Sequence, residues 1–351
     1  MPHDNPMGLN GFEFVEYTHT EPEKLAELFV KMGFTHVGTH RSKNVRHYQQ
    51  GDIHFILNME PVGQVAQFRD ARGASANAMA FRVADAAKAL KLAVANGATA
   101  VDGKVGPAEL NIPAVEGIGG VNVYLVDQRG AATIYDIDFE PVAGATPDQN
   151  SVGLHTLDHL THNLKRGNMD LWAHYYESIF NFREIRYFDI EGQSTGLFSK
   201  AMTAPDDKIR IPLNESQDDH SQIEEFIRDY KGEGIQHIAL ATDDIFNTVD
   251  RLRGNGIIFQ TIPDTYYEGL DARLPGHGHD IARMQARHIL IDGAPETGGG
   301  LLLQIFTENM IGPIFFEIIQ RKGNDGFGEG NFKALFESIE LDQMRRGVIP
   351  A

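Results

Sequence analysis

The sequence contains no cysteine. That absence excludes a disulfide framework, a thiol nucleophile and a thiolate metal site. Any metal must be held by His, Asp and Glu, a donor set that selects hard or borderline ions. Positive charge is scarce as well, with 31 Lys and Arg against 49 Asp and Glu and a formal net charge of -18. Such a surface repels phosphate backbones and anionic lipid alike, so neither nucleic acid nor a membrane is an expected partner. No apolar run approaches the roughly 20 residues of a membrane span. The opening MPHDNPMGLNGFEF lacks the basic and apolar regions of a signal peptide, and a cytoplasmic location is expected. What is present is enough to build cores: 351 residues, 42% of them hydrophobic, fit two domains or one large one.

The chain reads as one unit written four times. The first copy starts at Phe12 with an apolar run into Thr20, which with Glu23 forms a capping-box pattern. Leu25, Leu28, Phe29 and Met32 then fall at helical spacing before Gly33, and strand patterns such as His54 to Met59 follow. The second copy opens with AMAFRV near Ala76, continues with a helix from Asp85 to Asn96, and ends in VNVYLVD and ATIYDIDF, both read as strands. The third runs from Leu157 through a helix with Trp172, Tyr175, Tyr176 and Ile179 on one face, then three strand patterns. The fourth starts at Ile235, with a helix ending at Asn255 and the strands RHILID, LLLQIF and IFFEII. Copies two and four align without gaps over their first half, because 244 − 85 and 255 − 96 both equal 159 for Asp244 over Asp85 and Asn255 over Asn96. Repeats of this kind fix an architecture. The expected fold class is α+β, four βαβββ modules paired into two open-barrel domains, residues 1–150 and 151–351, with the boundary in Glu140 to Gly153 and a C-terminal helix folded over the last strand as a lid.

A single carboxylate, Glu317, interrupts the apolar strand from Pro313 to Ile319. Burying it requires a counter-charge or a metal. Arg321 is a candidate ion-pair partner. His159, between Leu157 and Leu160, and His237 each read more readily as hydrogen-bonded core histidines when taken alone. His155 and His159 share a strand face but stand roughly 13 Å apart, and His162 points to the opposite face, so no pair of these holds an ion locally. His159 and His237 do occupy the first strands of adjacent copies, and Glu317 the last strand of the second. Two His and one carboxylate on one side of a metal are the facial arrangement of non-haem Fe(II) oxygen chemistry. The first half has Ala78 where His237 stands in the second, so a metal belongs to the second half. The glycines of GFGEGN lack the Lys-Ser/Thr of a phosphate loop.

LDHLTHN around His159, GEGIQHIAL around His237, LLLQIF, FFEIIQRKG around Glu317 and DGFGEGNFKALFESIE resemble the corresponding segments of the 4-hydroxyphenylpyruvate dioxygenase family, in the vicinal oxygen chelate superfamily. The resemblance covers almost all of residues 150 to 345 and extends more loosely over the first half. It implies Fe(II) held by His159, His237 and Glu317, and homo-oligomers, dimers or tetramers. It also implies a substrate pocket of Ser199, Pro212, Asn214, Gln222, Gln236, Gln304, Phe306, Phe315, Phe327, Asn331 and Phe332, with Gln236, Gln304 and Phe332 closest to the chemistry. Strict alternation aims Gln236 away from the face of His237.

The activity implied is Fe(II)- and O2-dependent oxidative decarboxylation and ring hydroxylation of 4-hydroxyphenylpyruvate, giving homogentisate and CO2. A 2-oxo acid that chelates the iron itself needs no 2-oxoglutarate. The sister activity is 4-hydroxymandelate synthase; in the family, Phe at position 332, with Pro212 and Asn214, goes with ring attack and Tyr with the mandelate product. An extradiol ring-cleaving dioxygenase, a glyoxalase-like isomerase and a metal-free ligand-binding protein are the remaining readings on the same scaffold.

Overall fold

The computed structural model describes residues 3–103, 109–128, 132–191, 196–219 and 221–335. The last part of the expected lid helix, 336–340, lies outside them. Two sheets of eight strands account for the framework. The first is built from β1 (Phe12–Thr18), β2 (Thr35–His40), β3 (Val45–Gln50), β4 (Ile53–Asn58), β5 (Ser75–Arg82), β6 (Ala114–Glu116), β7 (Asn122–Val126) and β8 (Phe139–Pro141), in the order β6-β7-β5-β1-β4-β3-β2-β8. The second contains β9 (Leu154–Leu164), β10 (Arg183–Glu191), β11 (Gly196–Thr203), β12 (Arg210–Ser216), β13 (Gly234–Thr242), β14 (Leu290–Gly293), β15 (Leu301–Phe306) and β16 (Phe315–Lys322), ordered β10-β11-β12-β9-β13-β16-β15-β14. In each, the first strands of two modules, β1 with β5 and β9 with β13, pair antiparallel at the centre. Both sheets curl around a concave face.

The repeat holds at the level of individual caps. Asp85 caps α3 (Ala86–Ala95) by accepting from the Lys88 amide, and Asp244 caps α7 (Ile245–Gly254) by accepting from Asn247, each partner again 159 residues on. Helix α1 (Pro22–Lys31) buries Leu25, Leu28 and Phe29 as the spacing predicts. Its start differs: Glu21, not Thr20, is the N-cap, and no side chain caps it, because Pro22 fills the first helical position, where a missing N–H costs nothing. ATIYDIDF is not a strand either. Thr133 and Asp136 form a reciprocal capping box that starts α4 (Ile134–Asp138), and only Phe139–Pro141 extends, to pair with β2. The last strand of the second module, β8, therefore follows a helical turn and lies beside β2 at the far edge of the sheet, not beside β6 or β7. Helices α2 (Gln64–Arg72), α5 (Met169–Phe180) and α6 (Gln222–Asp229) complete the set that matters below.

One continuous apolar cluster lies behind both sheets and joins them, with Phe55 of β4 stacked against Phe316 of β16 at 5.9 Å. The two concave faces differ. The first carries an apolar cluster of Phe14, Val45, Ile56, Ala80, Val126, Ile134 and Phe139, several of which line a cavity of about 180 Å³, whereas the cluster on the second is, among the described residues, Ala239, Leu302 and Ile319. The second concave face is the less apolar of the two. No helix among the described residues is long and apolar enough to cross a membrane.

His162 is fully buried on the far side of β9, where its Nε2 meets the Tyr176 hydroxyl at 2.7 Å. Burial pushes this imidazole down to about 3. The unfolded chain protonates near 6.5 and the folded one does not, so stability is complete above about pH 6.5 and is lost as pH falls toward 3. Between pH 6.5 and 5 this single group costs about 2 kcal/mol. Urea unfolding at pH 7 and pH 5 should therefore show a smaller loss for His162→Gln than for the wild type; equal losses would mean that His162 protonates in the folded state.

Candidate metal centre

Strands β9, β13 and β16 are neighbours, and their registers bring the three donors together. Ala239 of β13 pairs with His159 of β9 on one side and with Glu317 of β16 on the other. Directly opposed residues share a face. His159, Ala239 and Glu317 thus form one row across the concave surface, and the fully buried Ala239 leaves space above its methyl into which the flanking side chains lean. His237 stands on the same face, two residues before Ala239. Glu317 Oε2 lies 3.2 Å from His159 Nε2 and 3.3 Å from His237 Nε2. A single ion about 2.1 Å from each donor spans such separations, whether six- or four-coordinate. His159, His237 and Glu317 are 2%, 8% and 2% exposed, so the site is dry.

Each histidine is aimed by the residue before it. His159 Nδ1 donates to Asp158 Oδ1 at 2.8 Å, and His237 Nδ1 donates to Gln236 Oε1 at 2.7 Å. That tautomer leaves both Nε2 lone pairs facing the centre. Adjacent residues of a regular strand face opposite ways, so both contacts require a bulge. The registers contain them: Leu157 and His159 face consecutive residues of β13, leaving Asp158 as the extra residue, and Ile235 and His237 face consecutive residues of β9, leaving Gln236 as the extra one. Alternation was thus the wrong rule for Gln236.

Charge within the cluster is mutually compensated. Burial alone would raise the Glu317 carboxyl, but His159 and His237 outweigh it and hold it at about 2. Burial lowers His237, whereas for His159 it is outweighed by Glu317 and Asp158, which raise that imidazole. Arg321 is not the partner of Glu317. It forks onto Asp158 instead, Nε to Oδ2 and Nη2 to Oδ1, both at 2.7 Å.

Around the donors, Phe315 stacks on His237 at 5.0 Å, Phe306 packs edge-on to Phe315 at 6.0 Å, and Phe327 lies edge-on to His159 at 5.4 Å. Gln304 donates to Glu317 Oε1 at 3.0 Å and accepts from Asn331 at 2.8 Å, while Asn331 accepts from the Tyr266 hydroxyl at 2.6 Å. Ser199 and Asn214, paired across β11 and β12, line a cavity of about 20 Å³ with Phe188, Leu197, Phe327, Glu329 and Phe332. Pro212 is buried on the same face of β12 as Asn214. Gln222, at the first position of α6, is exposed and outside the lining of that cavity. Sequence reasoning passed over Asp158, Arg210, Ala239 and Tyr266; nothing in their local pattern marks them.

The first sheet carries the same rows without the donors. Ala78 and Ala80 of β5 pair with Asn122 and Tyr124 of β7, as His237 and Ala239 pair with Phe315 and Glu317. Tyr124 therefore stands where Glu317 does, and Phe14 packs against it at 5.6 Å.

Comparison with known proteins agrees on both halves. Residues 3–140 match the family described as "Hydroxyphenylpyruvate dioxygenase, HPPD, N-terminal", and residues 156–272 match the "Glyoxalase/Bleomycin resistance protein/Dioxygenase superfamily". A Pseudomonas aeruginosa protein named 4-hydroxyphenylpyruvate dioxygenase is 61% identical over 348 residues, 98% of this chain and 97% of its own. A Vibrio vulnificus protein named Hemolysin VllY is 60% identical over 350 residues, 98% of each chain. Among solved structures, a mutant of 4-hydroxymandelate synthase from Streptomyces coelicolor superposes with a TM-score of 0.79 at 26% identity, over 95% of this chain and 99% of that one. With whole-length identity at this level, the curled sheets of the vicinal oxygen chelate fold and a buried His-His-Glu cluster in place, the chain belongs to the 4-hydroxyphenylpyruvate dioxygenase family.

Proposed function

We propose that the protein binds Fe(II) through His159, His237 and Glu317 and converts 4-hydroxyphenylpyruvate and O2 to homogentisate and CO2. The observation that carries this reading is the convergence of those three donors on one dry face, in a chain related end to end to enzymes of that name. When bound, Fe(II) supplies the electrons that activate O2 and a Lewis-acid anchor for a 2-oxo acid. The atoms balance without a second oxidant: one oxygen enters the carboxylate left after CO2 departs, and the other enters the ring.

The chain's own residues then have to hold, orient and dry the substrate. Asp158 and Gln236 keep the two imidazoles aimed, and Gln304 does the same for Glu317. Phe315, Phe327 and Phe332 offer faces to an aromatic ring, with Phe306 behind Phe315. Ser199 and Asn214 are suited to the phenol hydroxyl, supported by the cavity they line with Phe327 and Phe332. Pro212 shapes that wall, and Asn331 holds Gln304. Gln222 and the free bonding capacity of Gln236 and Gln304 are assigned to substrate on the family resemblance. Phe327 and Phe332 line a void of about 20 Å³, room for one water and no ring, and we read the segment that bears them as a lid that opens for substrate. We read residues 1–150 as a non-catalytic domain, residues 151–351 as the catalytic one, and the assembly as a homo-oligomer, dimer or tetramer, which size-exclusion chromatography tests.

Homogentisate and 4-hydroxymandelate differ only in the carbon that is oxidised, and a shift of about 1 Å decides such a geometry. Phe332, Pro212 and Asn214 favour ring attack. Aerobic incubation with Fe(II), ascorbate and 4-hydroxyphenylpyruvate should therefore give homogentisate as the main product by chromatography. Phe332→Tyr should slow the reaction and divert part of the flux. A wild-type reaction that yields mostly 4-hydroxymandelate would refute the pocket assignment and leave the metal site standing.

A further inference from the structure

Two independent chains of hydrogen bonds run from the segment 323–335 to two of the three donors. In the first, the Arg321 guanidinium uses its Nε and Nη2 edge on the Asp158 carboxylate, which holds His159, and its Nη1 donates to the carbonyls of Asn324 at 3.0 Å and Gly326 at 2.7 Å. The same guanidinium lies 5.7 Å from the centre of the Phe327 ring, whose edge meets His159. Arg210 adds an outer tie, 3.6 Å from Asp158 and 3.4 Å from Asp325. In the second chain, Asn331 binds Gln304 and Gln304 binds Glu317. Gly328 closes that contact. Its φ is +76°, and a Cβ there would fall 1.7 Å from Gln304 Oε1, so only glycine lets the segment seat on Gln304.

We infer that Arg321 and Asp158 are positioning residues through which the seating of segment 323–335 and the orientation of the metal donors become one equilibrium. The inference rests on the metal reading of His159, His237 and Glu317 given above. The physical reason is the rigidity of the guanidinium. Its five N–H groups are fixed in one plane, so the fork onto Asp158 dictates where the Nη1 donors point, and moving the loop carbonyls pulls on the carboxylate that aims His159. Unseating the segment also strands buried donors on Arg321 and the Gln304 carbonyl. Whatever fixes the donors must then favour the seated segment, and by linkage the seated segment must tighten the metal by the same factor.

The test uses the full chain, with Co(II) as a spectroscopic metal probe under anaerobic conditions. Hydrogen exchange of amides 323–330 should slow about tenfold when metal fills the wild-type site. Arg321→Met should abolish that slowing at saturating metal and weaken metal binding by about 10- to 100-fold. Its Co(II) absorption should also shift. Arg321→Lys should behave like Arg321→Met, because a point charge cannot make the fork and the two carbonyl bonds together. Gly328→Ala, which perturbs the segment alone, should weaken metal binding about tenfold with the triad intact. Wild-type metal affinity in both Arg321→Met and Gly328→Ala would overturn the proposal. So would unchanged exchange on metal addition in the wild type, which requires no variant to fold. A wild type that binds no Co(II) or Fe(II) at all overturns this proposal and the metal reading together, whereas metal binding with an indifferent segment overturns this proposal alone.

Discussion

Replacing Glu317 by Ala is expected to abolish turnover and to drop bound iron from about one Fe(II) per chain to none in anaerobic titration. His159→Ala and His237→Ala should do the same. With Glu317 gone, the site keeps two neutral donors and no negatively charged one in a dry pocket, because the Asp158 carboxylate is already paired with Arg321, and a dication there is poorly compensated. The histidines that are not donors provide the contrast. His162 is turned to Tyr176 on the far face, and His155 contacts Thr156 and Asp243 at the exposed end of β9. His155→Ala and His162→Ala should retain iron, with any loss in the latter limited to stability. Full activity in Glu317→Ala, or iron lost only from His162→Ala, would show that the donors are not these three.

Truncation after Lys322 should be nearly as damaging to turnover, for a different reason. The three donors remain, and at saturating Fe(II) the site still fills. Phe327, Asn331 and Phe332 are gone, however, and with them the wall over His159 and the partner of Gln304. Closure keeps water from reactive intermediates and completes the orientation of the substrate. A fall in kcat of at least about 100-fold is expected, the scale at which misplacement by an ångström acts. Oxygen that is still consumed should be poorly coupled to ring product, which an oxygen electrode run beside product chromatography reads directly. A truncated protein that forms homogentisate at the full-length rate would remove any role for the segment.

The meeting of His159, His237 and Glu317 is legible in the sequence. A carboxylate inside FFEII demands compensation, and the offset of 159 residues lays His237 over Ala78. What the sequence hid depends on exceptions to periodicity. A bulge leaves no mark in composition, so alternation aims Gln236 at the wrong face and gives Asp158 no role, although each holds one of the two clustered histidines. Arg321 is the nearest following cation in the sequence and so a candidate partner of Glu317. In the structure it answers Asp158, 163 residues away, a pairing that only the curl of the sheet creates. ATIYDIDF alternates well enough to pass for a strand, yet the Thr133 and Asp136 caps start a helix there instead. Gln222, carried over by resemblance, is exposed on α6, and its role awaits substitution.

The contact of Phe55 with Phe316 bears on how the chain can be divided. Phe316 precedes Glu317 on β16, and its fully buried ring faces away from the cluster of His159, His237 and Glu317, into apolar surface that the first half supplies. Residues 151–351 cut free would expose that ring, at a cost of about 1.5–3 kcal/mol for the one aromatic alone. The two halves repeat one architecture, yet each is the other's covering: the strand that carries Glu317 has its back closed by residues of the first half.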